Sequence, residues 1–355
     1  MRVALTHPYS WTDVRRGAER VLRETARSLS ERGHEVTVLT SGSTPGRAAF
    51  HGAEVRTFRR QFARARMHER WFGACVAGAV GRGSFDVVHS LMPLDAFAAH
   101  RVRRISGARC VYQDIAIPFA GNERNRDDLT YRERLARGGE VYGCMSQVAL
   151  DRLHERTGRR GALIPGGVRL GDFTVTEGRA ERPTVLFSGT LDVRFKRLPL
   201  LLRAMEAVLE AEPEARLHLS GPGDPEGLLS EAPQIVRDAT VTLGLGRLDE
   251  QPGRYRRAWV TALPSVGESF GLVLLESLAS GTPIVTSDEG AAPELVRDGA
   301  GVATTADDVD SLVAGLLRAI EMARDPATAG RCRAVAADYD WDTSIAPLLE
   351  ALYES

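Results

Sequence analysis

Apolar residues in the first half of the chain fall into short runs separated by longer amphipathic stretches. Runs at Val3–Thr6, Val36–Leu39, Ala53–Thr57, Asp86–His89, Arg109–Tyr112, Val141–Met145 and Ala162–Ile164 predict strands. After the first of them, Ala18, Val21, Leu22, Ala26 and Leu29 recur at helical spacing, which predicts a helix over 18–31 that Gly33 ends. Strands alternating with helices predict a doubly wound parallel sheet. The alternation lapses at Ile164-Pro165-Gly166-Gly167-Val168, where proline fixes one dihedral and the glycines free the next, so the stretch reads as an interdomain hinge. Residues 171–183 are polar and read as a loop. Strands resume at Thr184–Ser188, Arg216–Leu219, Thr240–Leu243, Trp259–Leu263, Pro283–Thr286 and Gly301–Ala303, with helices at about 198–211, 270–280, 307–323 and 328–337. The same βα pattern thus occurs twice. The expected fold is α/β, two Rossmann-like domains with parallel sheets facing a central cleft.

A chain of 355 residues suits that arrangement, because each half can bury its own core. The longest apolar run, Trp71 to Val80, is too short to span a bilayer, and the opening Met-Arg-Val-Ala-Leu-Thr reads as a strand rather than a signal peptide. Cys75, Cys110, Cys144 and Cys332 lie far apart and form no Cys-x-x-Cys pair, the pattern of scattered thiols in a reducing compartment. A cytoplasmic location is the expectation. Net charge is −1, but residues 1–164 hold 28 arginines against 17 acidic residues, a net of +11, and residues 165–355 hold 18 basic against 30 acidic, a net of −12. A basic half can attract an anionic acceptor or an anionic membrane surface, or the two halves can attract one another. Of 46 basic residues, Lys196 alone is a lysine.

The most informative segment is residues 264–285. A strand runs into a loop carrying Glu268, a helix opens at Phe270-Gly271-Leu272 with Glu276 about a turn and a half in, and Gly281-Thr282-Pro283 stops it. Free amides at a helix start favour an anion or an acceptor-rich hydroxyl, and Gly271 lets a ligand approach the backbone. Carboxylates on either side of that start can accept hydrogen bonds from two parts of one hydroxyl-bearing ligand. The segment resembles the Glu-x7-Glu signature of retaining glycosyltransferases of family 4, which have the two-domain GT-B fold. The resemblance implies that Glu276 binds the ribose of a sugar nucleotide and that Glu268 lies beside the transferred sugar.

A second segment, Val185 to Arg197, reads as a strand, a glycine turn at Gly189 and the start of a helix. Departure of a diphosphate needs fixed cations aimed at it. The resemblance puts Lys196 on that diphosphate with Arg194 as second cation, whereas Thr190 stands where many family members carry arginine. Arg16-Gly17-Ala18-Glu19 keeps one of the family's two glycines at the first strand-to-helix turn, so Gly17 is assigned to the donor and Arg16 to the acceptor side. Gln113 and Asp114 end a first-domain strand where the family often has histidine, and His7 ends the first strand. These three complete the acceptor side, with satisfaction by the backbone as the ordinary alternative for each. The glycine turns at Leu219-Ser220-Gly221-Pro222-Gly223 and Leu243-Gly244-Leu245-Gly246-Arg247 border base and phosphates if the resemblance holds, Gly246 among them. The linker resembles the family's Pro-Asn-Gly-Val-Asp, with Gly166 and Arg169 as departures.

By this resemblance the domains are 1–165 for the acceptor and 166–338 for the nucleotide sugar, with a final helix 339–355 packing back on the first. Trp341, Ile345, Leu348, Leu349 and Leu352 have the spacing for it. The implied activity is transfer of a sugar from a nucleoside-diphosphate sugar to a hydroxyl of a small-molecule or lipid acceptor with retention, without metal or other cofactor and without a nucleic-acid partner. A sugar-nucleotide epimerase of similar architecture and a catalytically idle sugar-nucleotide binder are the alternatives. Residues 56–72 alternate cations with aromatics, a pattern for peripheral contact with an anionic membrane or for a solvated face with Phe58, Phe62, Trp71 and Phe72 packed inward.

Overall fold

The computed structural model describes residues 1–11, 14, 16–118, 126–138, 141–175 and 178–355. They form two compact units, Met1–Gly167 with Trp341–Ser355, and Val168–Asp340.

The first unit runs β1 (Arg2–Thr6), α1 (Gly17–Glu31), β2 (Glu35–Gly42), β3 (Gly46–Phe50), β4 (Ala53–Arg59), α2 (Ala65–Arg82), β5 (Val87–Ser90), α3 (Pro93–Ser106), β6 (Arg109–Asp114), α4 (Arg126–Arg137), β7 (Val141–Cys144), α5 (Gln147–Thr157) and β8 (Ala162–Leu163). Its sheet has the order β3-β4-β2-β1-β5-β6-β7-β8. The sheet is not wholly parallel, as the apolar runs had suggested. Edge strand β3 pairs antiparallel with β4 through a two-residue turn at His51-Gly52, both at positive φ, the twist that suits a tight hairpin. Four of the five β3 residues are exposed, so no apolar run announced it. Phe72, Val76 and Val80 of α2 and Ala99 of α3 pack on Ala4, Val88 and Cys110 of the sheet. Phe62, expected inside, is exposed.

The second unit runs β9 (Thr184–Ser188), α6 (Leu198–Ala211), β10 (Arg216–Ser220), α7 (Glu226–Ser230), α8 (Gln234–Asp238), β11 (Thr240–Gly244), α9 (Gln251–Arg257), β12 (Val260–Leu263), α10 (Leu272–Ala279), β13 (Ile284–Ser287), β14 (Gly301–Thr304), α11 (Val309–Arg324) and α12 (Ala327–Ala337). All of its strands pair in parallel, in the order β11-β10-β9-β12-β13-β14. Strands β9, β12 and β13 are buried at every residue, which explains why they read as unbroken apolar runs. Helices α7, α8 and α9 are too short to show a helical period and were not anticipated.

Residues 341–355 belong to the first unit. They do not form one continuous α-helix. A wider π turn over Trp341–Ile345 precedes α13 (Ala346–Glu354), whose Pro347 has no amide to donate to the preceding turn. Trp341 is buried against Gly167, where a Cβ would stand 2.8 Å from the indole. Tyr353 bonds His89 Nδ1 at 2.7 Å, and burial holds that imidazole down to about 4. Glu350 accepts from Arg32 Nη2 at 2.6 Å and meets His34 Nε2 at 2.8 Å. The Arg32 hydrogen bond, seconded by His34, draws the Glu350 carboxyl down to about 2.

A carboxyl whose folded pKa is depressed contributes stability above its unfolded value and loses it as pH falls through the folded one. Glu350→Gln should therefore cost about 1 kcal/mol near neutral pH. The gap between variant and wild type should close between about pH 4.5 and 2. Urea titrations of both proteins across that range check it, and a gap independent of pH would contradict the assignment.

Candidate functional site

The carboxyl ends of β9, β10 and β12 carry turns that are tied to one another. Gly189 donates its N–H to Ser220 O at 2.9 Å, and Leu191 donates to Pro222 O at 2.9 Å. Gly221 sits so close beneath this turn that a Cβ would lie 1.9 Å from Gly189 O, at a φ of +146°. Beyond the turn, Arg194–Lys196 form a single 3-10 turn whose Phe195 carbonyl accepts from Val266 N at 2.9 Å. The loop after β12 is thereby stitched to the loop after β9.

That loop is fixed from its other side as well. Glu268 pairs with Gly290 in a parallel bridge, and its carbonyl accepts from Ala291 N at 2.8 Å. A Cβ on Gly290 would stand 2.7 Å from Glu268 N, so only glycine admits this approach. With both backbones held, Lys196 Nζ meets Glu268 Oε2 at 2.5 Å, the two side chains 15% and 14% exposed. The ammonium also lies 5.1 Å from the Phe195 ring centroid. Arg194, two residues earlier, is exposed.

Helix α10 begins one residue past Gly271, its N-cap, later than the expected 270. Phe270 is buried edge-on to Tyr339 at 5.5 Å, Leu272 is half-buried and Glu276 is buried in the second turn. The first amides of the helix have no partner within it. Cation, carboxylate, helix start and second carboxylate thus share one end of this sheet.

Arg254 of α9 escaped the sequence reading. Its Nη1 donates to Ser220 Oγ and Gly244 O, each at 2.7 Å, and its Nη2 to Leu243 O at 3.1 Å, so one guanidinium joins the turns after β10 and β11. Gly246 leaves room for it, since a Cβ there would lie 2.1 Å from Nη2. Nothing in the sequence distinguished this arginine from 44 others.

In the first unit, the expected acceptor-side residues are engaged by the protein itself. His7 is buried, with Nδ1 2.9 Å from Tyr9 O, and burial lowers its pKa to about 4. Gln113 donates to Ile164 O at 2.8 Å. Asp114 accepts from Arg132 Nε at 2.6 Å and Tyr142 OH at 2.8 Å, all buried. Arg16 is exposed as the N-cap of α1, its N–H donating to Glu19 Oε2 at 3.1 Å, with Gly17 exposed beside it. One unforeseen carboxyl joins this strand end. Asp95 hydrogen-bonds Thr6, whose hydroxyl donates to Ser90 Oγ at 2.8 Å. Burial pushes the Asp95 carboxyl up to about 8. Among the described residues, no group of three or more His, Cys, Asp and Glu is placed to hold a metal ion.

A family model described as Glycosyltransferase Family 4 matches residues 15–171, and one described as Glycosyl transferases group 1 matches residues 182–322. The phosphatidyl-myo-inositol mannosyltransferase of Mycobacterium leprae (strain TN) is 30% identical, over 100% of this chain and 97% of its own. The D-inositol 3-phosphate glycosyltransferase of Actinosynnema mirum is 30% identical over 76% of this chain and 72% of its own. Among solved structures, sucrose-phosphate synthase from Thermosynechococcus elongatus superposes with a TM-score of 0.85 at 19% identity, covering 100% of this chain and 98% of that one. That likeness speaks for the fold, GT-B, with two α/β units, the second sheet parallel throughout and the first parallel except at β3.

The backbone approach beneath Gly189 gives a direct check. Gly221→Ala should lower stability by about 1–3 kcal/mol, because a Cβ both meets backbone and strains φ. Gly227→Ala, where nothing lies within 4 Å of the new Cβ, should be near neutral. Chemical denaturation of the two variants side by side measures the contrast, and equal midpoints would refute it.

Proposed function

Because the chain belongs to glycosyltransferase family 4, we propose that it transfers a sugar from a nucleoside-diphosphate sugar to a hydroxyl of an anionic, hydroxyl-rich lipid, with retention at the anomeric carbon. The observation that carries this reading is the Lys196–Glu268 pair at 2.5 Å beside the start of α10. A diphosphate is the natural competitor for Lys196, and once it takes the ammonium, Glu268 is released toward the sugar.

The C1–O bond to phosphate then breaks with its electron pair leaving on the diphosphate, which Lys196 and Arg194 stabilise. Glu268 faces the positive charge growing on the sugar. The acceptor hydroxyl attacks the same face, and its proton passes to the departing phosphate oxygen, so no separate base and no metal is required. Glu276 accepts from the ribose hydroxyls, while Gly189, Phe270, Gly271, Leu272 and Gly246 shape the donor site. Relatives whose names specify phosphatidyl-myo-inositol and inositol 3-phosphate support an anionic polyol acceptor, as does the +11 charge of residues 1–164. Residues 56–72 would bring the enzyme to an anionic bilayer from the cytoplasmic side. No helix among the described residues is long and apolar enough to cross one.

Glu276→Ala should weaken binding of the free nucleoside diphosphate by about 1.5–3 kcal/mol, the worth of lost hydrogen bonds to a charged group. Calorimetry measures it, and unchanged affinity would remove the ribose assignment. Glu268→Gln should instead lower turnover by about 100-fold or more while donor affinity moves little, because its contact strengthens toward the transition state. A variant with normal turnover and poor donor binding would make Glu268 a ground-state contact. NMR of the product's anomeric configuration decides retention, and an inverted product would overturn the front-face mechanism.

A further inference from the structure

Among the described residues, four besides glycine hold a left-handed backbone, namely His51, Arg197, Asp298 and Asp307. A side chain makes that conformation costly, so it persists where the surroundings hold it in place. Two of the four hold each other: Arg197 Nη2 donates to Asp307 Oδ2 at 2.8 Å, and Arg197 Nε lies 2.7 Å from Oδ1. Their φ angles are +56° and +58°. Glycine would take both positions without strain, so the backbone alone does not call for an arginine and an aspartate there. Their places in the chain do. Arg197 follows Lys196 directly, closing its 3-10 turn and capping α6. Asp307 sits in the turn after β14, which is fixed on its other sides. Asp308 caps α11 by accepting from Ser311 N at 2.9 Å, and Ala306 N donates to Asp288 Oδ1 at 2.9 Å. Asp288 leads through Glu289 to Gly290, the residue bridged to Glu268. The turn after β14 therefore reaches both members of the Lys196–Glu268 pair, the carboxylate through Asp288 and the cation through Arg197.

We infer that Arg197 and Asp307 are positioning residues for Lys196. Their ion pair holds the chain in its left-handed turn just after the lysine, and so keeps the ammonium aimed at the diphosphate of the donor. The inference rests on the assignment of Lys196 to that diphosphate, but the ordering of the lysine is measurable with no ligand present.

Lys196 is the one lysine of the chain, so full-length protein grown on nitrogen-15 lysine gives a single backbone amide signal by NMR. In the wild type its order parameter should be about 0.85, as in rigid backbone, and in Asp307→Gly it should fall toward about 0.6. Glycine accepts a φ of +58° freely, so the urea midpoint of that variant should stay close to wild type. Arg197→Asp combined with Asp307→Arg rebuilds the ion pair in reverse and should restore the order parameter. Inorganic pyrophosphate, which has neither ribose nor sugar, should shift the wild-type signal. It should bind Asp307→Gly about fivefold more weakly, the upper end of what an exposed ion pair is worth. An order parameter unchanged in Asp307→Gly, or not restored by the reversed pair, would overturn the inference. So would equal pyrophosphate affinity in the two proteins, or a lower urea midpoint with Lys196 as ordered as before, which would reduce the pair to a support for stability. Loosening in Asp307→Gly beside a wild-type signal that pyrophosphate never moves would overturn the diphosphate assignment and leave the ordering of Lys196 by the pair standing.

Discussion

Two contacts of backbone on backbone govern the end of the second sheet. Gly221 lies under Gly189, and Gly290 lies against Glu268, each where a Cβ would fall inside 3 Å of main-chain atoms. Side chains can trade rotamers, but main chain in contact with main chain leaves no slack. The loops after β9 and β12 are therefore set by the sheet beneath them, and the Lys196–Glu268 pair inherits its geometry from both. The positions of this cation and this carboxylate are therefore set by main chain before any side-chain contact is made.

Opposite charges are used differently in the two units. In the first, Asp114 and Arg132 are buried together, with Tyr142 taking a further carboxylate lone pair. Such a pair organises the strand end but has no capacity left for a ligand. In the second, Lys196 and Glu268 keep some exposure, so water still reaches the pair. The same chemistry is structural where it is sealed and available where it is not.

The strands were legible because parallel strands covered on both faces read as plain apolar runs, and Val185 to Phe187 or Val260 to Leu263 left little choice. Gly46–Phe50 was not, because an exposed edge strand carries no such run. Glu268, Glu276 and Lys196 stood out through motif and through the rarity of lysine. Their contact did not, since 72 residues separate Lys196 from its partner. Arg254 was hidden among its own kind, and the commitment of Asp114 depended on an arginine 18 residues away. Local pattern reports burial. It does not report which distant group will occupy a polar side chain.

The return of residues 341–355 to the first unit also sets an order of assembly. The second unit is one continuous stretch, complete once Asp340 has been made. The first unit waits for Trp341 to cover Gly167 and for Tyr353 to reach His89, both of which follow the whole second unit in the chain. The usual sequence, in which the amino-terminal domain finishes first on the ribosome, is thereby reversed. Until then the unit richer in arginine keeps part of its core open, although most of its residues precede those of the second unit.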